Sequence, residues 1–408
     1  MISLTAAQRR LNARIALPAS KSESNRALII KGLSKEPIEL LNLASARDTQ
    51  TMIRLMESEG HVLDVIDAGT TMRFLTAFMA AQGRDQILTG TPRMCKRPIG
   101  ILVDALRSLG AEIQYWKQEG YPPLHIVSKG TQMEGGEIEI AGNVSSQFIS
   151  AILMISPTLK QGVKLHLTGD ISSRPYIDMT RGLMSHFGVE SHWEGATIVV
   201  PEQSYQGGTL TIESDWSAAS YWYSMLSIAT EGEVFLEGLK SNSWQGDRGI
   251  SDIMVHFGIQ TQFEEGGIRL TKIPMEDPQG LLEWDFTKTP DLAQTMAVVS
   301  AATGKPIKMS GLHTLRVKET DRIEALKEQL AKFQVDFLVE GDTATVRKQA
   351  IFTEALIETY DDHRMAMAFS PLVYKFGKLQ LDDPEVVQKS YPEFWQHLAS
   401  AGVATQEW

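Results

Sequence analysis

Residues 307–339 read IKMSGLHTLRVKETDRIEALKEQLAKFQVDFLV, and the fold turns on how this stretch divides. A short apolar run ends at Gly311, a charged segment follows, and then Ile323, Leu326, Leu330 and Phe333 recur at the spacing of an amphipathic helix. After that helix QVDFLV turns extended again, so strand, helix, strand is the expected local order. The same order recurs along the chain. Strand-like runs IELLN, QILTG, KLHLTG, VFLEG, IKMSG and KLQLD end at residues 42, 90, 169, 238, 311 and 382. Helix-to-strand transitions follow them in LRSLGAEI, LMSHFGVE, IMVHFGIQ, EQLAKFQVDF and HLASAGVA, with LMESEGHV as the first copy.

A second kind of helix stands before each strand. Its copies open with small or polar residues able to cap a helix: PASKSESNR, DAGTTMRF, GNVSSQF, SDWSAAS, TPDLAQT and DDHRMAM. Two helices plus strands, about 70 residues in all and repeated six times, is too large for a solenoid repeat and suits two domains of three units each. The interval from residue 42 to residue 90 is shorter than its siblings, which predicts a missing strand pair in the first unit. Halving six units puts one domain at residues 18–213 and the other at 1–17 with 214–408, joined near the Gly-rich QGGTLTIESD. The chain would then cross twice between domains, with the active site expected in the cleft between them.

Composition narrows the function. With 408 residues, 43% hydrophobic and 22% charged, the chain reads as an ordinary globular protein. A net charge of −11 and no block of like charges argue against a nucleic-acid partner, although a few arginines in a cleft still suffice for small anions. The single cysteine, Cys95, excludes an internal disulfide and suits a reducing compartment. MISLTAAQRRLNAR lacks the apolar core of a signal peptide, and no run approaches the ~18 residues that span a membrane, so a cytoplasmic location is expected.

Helix starts are where chemistry is expected, because free N–H groups there favour phosphate and carboxylate. Lys21, Ser22 and Arg26 cluster in one, Ser145, Ser146 and Gln147 in another, and Gly69 with Thr70 and Arg73 in a third. Arg93, Lys96 and Arg97 precede a helix, His363 and Arg364 open one, and Lys389 lies in QKSYPEF. Asp291 and Glu319 are the acid and base candidates; capping charge and a surface pair with Arg322 are their plainer readings. A metal on Asp361, Asp362 and His363 fails on spacing, Cys95 has no neighbouring His, and G-x-S-x-G, P-loop and G-x-G-x-x-G patterns are missing. No metal is expected.

Together LPASKSESNRAL, DAGTTMRFL, PRMCKRPIG, GNVSSQF, SSRPYID, PDLAQT, LRVKETDRIEAL and DDHRMAMAF resemble the 5-enolpyruvylshikimate-3-phosphate synthase family over nearly the whole chain. That resemblance implies a two-domain inside-out α/β fold of six βαβαββ repeats, three per domain. It also implies transfer of the carboxyvinyl group of phosphoenolpyruvate to the 5-hydroxyl of shikimate 3-phosphate by a monomer, with no cofactor. The residues that it places on shikimate 3-phosphate are Lys21, Ser22, Arg26, Ser145, Ser146, Gln147, Ser173, Tyr176, Asp291 and Lys318. Phosphoenolpyruvate would meet Lys21, Gly69, Arg97, Gln147, Arg322, His363, Arg364 and Lys389. Glu319 is the expected proton donor and Asp291 the base, with Lys318 and Lys21 assisting. Three departures from the family pattern stand out: the short first unit, Asp67 in place of an Asn, and Thr314 in place of an Asn. The sister family, which uses UDP-N-acetylglucosamine, places a cysteine five residues before an Arg-Pro pair, whereas Cys95 lies two before Arg97. A third reading is a binding protein that kept the fold and lost catalysis; the intact charged set argues against it.

Overall fold

A computed structural model describes residues 1–128, 130 and 133–408. The chain divides into a central unit, Ala19–Ile212, and a terminal unit made of Met1–Pro18 and Glu213–Trp408. It therefore passes from one unit to the other twice, at Pro18 and at Ile212.

The terminal unit opens with β1 (Ile2–Ala6) and β2 (Arg10–Ala16). The central unit then runs α1 (Lys21–Leu33), β3 (Ile38–Leu41), α2 (Arg47–Met56), β4 (Val62–Asp64), α3 (Gly69–Ala81), β5 (Gln86–Thr89), α4 (Gly100–Ser108), β6 (Glu112–Tyr115) and β7 (Leu124–Val127). It continues with β8 (Gly136–Ala141), α5 (Ser146–Ile155), β9 (Val163–Thr168), α6 (Arg174–His186), β10 (His192–Glu194), β11 (Thr197–Val200) and β12 (Gly208–Thr211). The terminal unit resumes with α7 (Trp216–Ile228), β13 (Glu231–Glu237), α8 (Ile250–Val255), β14 (Ile259–Glu264), β15 (Gly267–Lys272), β16 (Leu282–Asp285), α9 (Ala293–Thr303) and β17 (Ile307–Ser310). It ends with α10 (Arg322–Ala331), β18 (Phe337–Glu340), β19 (Thr343–Val346), β20 (Leu356–Ile357), α11 (His363–Phe369), α12 (Leu372–Phe376), β21 (Lys378–Leu381), α13 (Phe394–Ser400) and β22 (Val403–Glu407).

Five sheets share one plan, in which a parallel edge strand pairs with a central strand whose other side carries an antiparallel pair, a hairpin in four of them and β1 with β22 in the fifth. The orders are β4-β5-β7-β6, β8-β9-β11-β10, β2-β13-β15-β14, β16-β17-β19-β18 and β20-β21-β1-β22. The sixth sheet holds only β12 parallel to β3, from Gly208 opposite Ile38 to Thr211 opposite Leu41. Its missing hairpin falls between α2 and β4, where the sequence interval is short.

The two helix classes pack differently. The helices that follow edge strands are buried nearly all round: α3 buries Thr71 to Ala80, α7 buries Ala218 to Ser227 and α9 buries Ala293 to Ala302. A helix apolar on every side belongs inside. The others bury one stripe, as α2 does with Thr51, Met52 and Leu55 and α10 with Ile323, Leu326 and Leu330. Each unit thus wraps three inner helices in sheets and outer helices around its own hydrophobic core. No helix among the described residues is long and apolar enough to cross a membrane.

Candidate functional site

In the central unit the starts of several helices are tied together by side chains. Ser20 caps α1 and presents Lys21, whose Nζ lies 3.1 Å from Asp48 Oδ2 at the start of α2. Thr71 near the start of α3 donates to the Asp48 carbonyl at 3.2 Å, and Gln147 near the start of α5 donates to Thr70 Oγ1 at 3.1 Å. One end of the inner helices therefore gathers Lys21, Gly69, Ser145, Ser146 and Gln147. Ser145 caps α5 and is exposed, whereas Ser146 and Gln147 are half-buried. Ser22 is half-buried at the same end of α1.

Gly69 earns its place through what lies against it. A Cβ there would stand 2.5 Å from Arg97 Nη1 and 3.1 Å from Arg73 Nη1, so only glycine lets both guanidiniums approach the first turn of α3. Arg73 is anchored by the Gly69 carbonyl at 3.0 Å and the Pro98 carbonyl at 3.3 Å. Arg97 caps the short 3-10 turn Met94–Lys96, and its buried Nε has no hydrogen-bond partner among the described residues. Two guanidiniums beside a helix start form a setting that asks for an anion. Asp67, whose charge stood out in the sequence, pairs with Arg47 at 3.2 Å and is compensated there.

Two other expected contacts lie close by. Ser173 adopts a left-handed conformation, φ 55°, at the start of α6 and is nearly buried, with Tyr176 one turn further on. Arg26 is 2% exposed and spans three helices, donating to Thr180 Oγ1 at 2.7 Å, Ser150 Oγ at 3.2 Å and the Ser22 carbonyl at 2.8 Å. Burial lowers its pKa to about 10, against a partial upward pull from Tyr176 and Glu23.

The terminal unit holds a denser cluster around Arg322, the first residue of α10. Its guanidinium, 2% exposed, donates to Asp362 at 2.8 and 3.4 Å, to Asp291 at 3.0 Å and to Glu319 at 2.9 Å. Burial alone would lower its pKa; Asp362, Glu319 and Asp291 outweigh that and hold it above the ordinary value. The Glu319–Arg322 pair is therefore not the solvated pair that its spacing suggested. Lys389 Nζ reaches Glu319 from the other side at 3.7 Å and is itself buried. Lys318 lies 3.6 Å from Asp291, and Arg364 Nη2 lies 3.0 Å from its second oxygen. His363, 2% exposed, opens α11 beside Asp362, which caps that helix through the Arg364 N–H.

Asp247 belongs to this cluster and was not singled out from the sequence. It accepts from Ser217, which also lies 3.3 Å from Arg364. Burial, aided by repulsion from Asp291, raises its pKa to about 7, although Arg364 and Ser217 pull the other way. Burial likewise works to raise Asp291, but Arg364, Lys318 and Arg322 hold it well below the usual carboxylate range despite Glu319. Two neighbouring carboxyls are thus split, one kept ionised and one poised near neutrality, which is how acid and base roles are set apart. Asp48, the partner of Lys21, was missed for a similar reason: its role depends on helices distant in sequence. Thr314 sits in the turn His313–Val317 with its hydroxyl buried and no hydrogen-bond partner among the described residues.

Comparison with known proteins gives this geometry its setting. The profile of EPSP synthase (3-phosphoshikimate 1-carboxyvinyltransferase) matches residues 5–60 and 54–398. A 3-phosphoshikimate 1-carboxyvinyltransferase of Bacteroides fragilis strain YCH46 is 46% identical over 406 residues, covering 98% of this chain and 97% of that protein. One from Photobacterium damsela subsp. piscicida is 35% identical over 417 residues, covering 95% and 96%. Among solved structures, an EPSP synthase from Acinetobacter baumannii superposes with a TM-score of 0.80 at 22% identity over the full length of both chains, a likeness of fold.

Proposed function

The chain belongs to the EPSP synthase family, and from that premise we propose that the charged side chains described above hold its substrates. It is a transferase that moves the enolpyruvyl group of phosphoenolpyruvate to shikimate 3-phosphate in aromatic amino acid biosynthesis, releasing phosphate. In our assignment shikimate 3-phosphate is met by Lys21, Ser22, Arg26, Ser145, Ser146, Gln147, Ser173, Tyr176, Asp291 and Lys318. Phosphoenolpyruvate is met by Lys21, Gly69, Arg97, Gln147, Arg322, His363, Arg364 and Lys389.

The observation that carries this assignment is the interlock of Lys318, Arg322, Arg364 and Lys389 with Asp291 and Glu319. Both substrates carry a phosphate and a carboxylate, so their anionic groups compete with protein carboxylates for the same cations. The chemistry needs that exchange. The attacking hydroxyl must lose a proton while the methylene carbon of phosphoenolpyruvate gains one; later a proton leaves the new methyl group as the bond to phosphate breaks. Glu319 gives and retakes the carbon-bound proton once substrate draws Arg322 and Lys389 from it. Asp291 takes the hydroxyl proton, with Lys318 and Lys21 steadying the developing charge. Closing the substrates off from water strengthens each of these contacts. The single cysteine supports a cytoplasmic setting.

Phosphate release from shikimate 3-phosphate and phosphoenolpyruvate by the purified protein tests the assignment together with Glu319→Gln. We expect turnover to fall at least ~10²-fold in that variant with substrate binding little changed. Unchanged turnover with a lowered Tm would return Glu319 to a purely structural pair.

A further inference from the structure

His61, Asp85 and His125 come together on one sheet of the central unit, although 24 and 40 residues separate Asp85 from the two histidines. His61 immediately precedes β4 and Asp85 immediately precedes β5, its parallel neighbour, while His125 lies on β7, the antiparallel neighbour of β5. His125 alternates with buried Leu124 and Ile126, which turns its ring to the opposite face of the sheet. Asp85 Oδ1 stands 3.0 Å from His125 Nε2 and 3.8 Å from His61 Nδ1, and one donor atom from each residue lies within 4.8 Å of the others. The imidazole rings meet edge to face at 5.7 Å.

We infer that these three side chains form a binding site for a divalent cation of the zinc class. Two imidazole nitrogens and one carboxylate oxygen suit zinc, cobalt or nickel and are a poor set for magnesium or calcium, which take oxygen ligands. With metal–ligand distances of ~2.0–2.2 Å, neighbouring donors lie ~3–4 Å apart, so a rotation of the exposed His61 ring completes the set. The framework is built in advance. The Asp85 carboxylate also accepts from the Ser128 backbone, and the His61 carbonyl accepts from the Ile87 N–H at 2.8 Å. Two other histidines on this unit meet a single carboxylate, His166 with Glu137 and His192 with Glu194, without a third donor in the set. Sequence spacing could not suggest the trio, because its members come from three strands and share no helical interval.

Asp85 stands at the start of β5, and the segment carrying Arg97 follows its far end, about 13 Å along a four-residue strand. The cation therefore clips three strands of the central unit and takes no part in the transfer reaction. Metal-free full-length protein titrated with Co²⁺ should bind one ion per chain with the d–d absorption of an N/O site, and Zn²⁺ should displace it and raise Tm. His125→Ala should weaken Zn²⁺ binding at least ~10-fold and abolish the Tm response with kcat and KM unchanged, while His166→Ala leaves binding intact. Asp85→Asn, at an exposed strand start, carries the same test if the first variant folds poorly. Zn²⁺ binding that survives both substitutions, or that amounts to well under one ion per chain, overturns the site.

Discussion

At the residue scale the sharpest consequence concerns Gly69. Its missing Cβ leaves room for Arg97 Nη1, the far end of a flexible side chain, so Gly69→Ala should displace the guanidinium and leave the helix in place. We expect KM for phosphoenolpyruvate to rise about tenfold, or ~1.4 kcal/mol, without loss of Tm; steady-state kinetics and a thermal melt check both. Asp247 offers a second test. Its carboxyl is raised to about 7 from an unfolded value near ~3.9, so its contribution to stability is complete below the lower value and is lost as pH rises through the upper one. Asp247→Asn should therefore gain in Tm over the parent between about pH 4 and pH 7, with the gap levelling off above. A gap independent of pH would show that the carboxyl is not raised. The sequence displayed Arg97, Glu319 and Arg322 because charges at helix starts announce themselves. It could not display Asp247 or Asp48, whose significance is a neighbour contributed by another segment, nor the Arg97 Nε that has no partner among the described residues.

At the scale of elements, four of the six expected helix starts were legible because capping is local: Ser20, Ser145, Asp215 and Asp362 accept backbone N–H groups at helix N-termini, whereas α3 and α9 open without a side-chain cap. The shortened first repeat was legible too, since a hairpin cannot fit between Met56 and Val62. What stayed hidden is which side of a helix a long cation takes. Arg26 turns inward to join α1, α5 and α6, while Thr180 and Ser150 keep a bond of their own at 2.8 Å. Arg26→Met should cost roughly 1–3 kcal/mol in urea unfolding through lost hydrogen bonds, whatever it does to KM. The two-stranded sheet makes a different prediction. Amides of β3 and β12 should exchange with solvent faster than those of the equivalent parallel pair β8 and β9, which an antiparallel pair flanks. Equal protection would mean that the missing hairpin has no energetic cost.

For the whole molecule, the two crossings exchange edge strands. β2 leads in sequence to α1 yet pairs with β13, and β12 leads to α7 yet pairs with β3. β1 sits between β21 and β22, with Ile2 opposite both Leu381 and Glu407. Deleting residues 1–18 should therefore split one sheet of the terminal unit and strip the edge from another, leaving residues 19–212 able to melt as a cooperative unit while the rest does not. Calorimetry of the truncated chain checks this, and two intact transitions would contradict it. The same strand also sets a timetable. At ~5–20 residues per second, β1 leaves the ribosome roughly twenty seconds to over a minute before its neighbours exist. The central unit is finished midway and can fold on schedule, whereas β1 must wait, unpaired and in need of protection, for partners translated long after it.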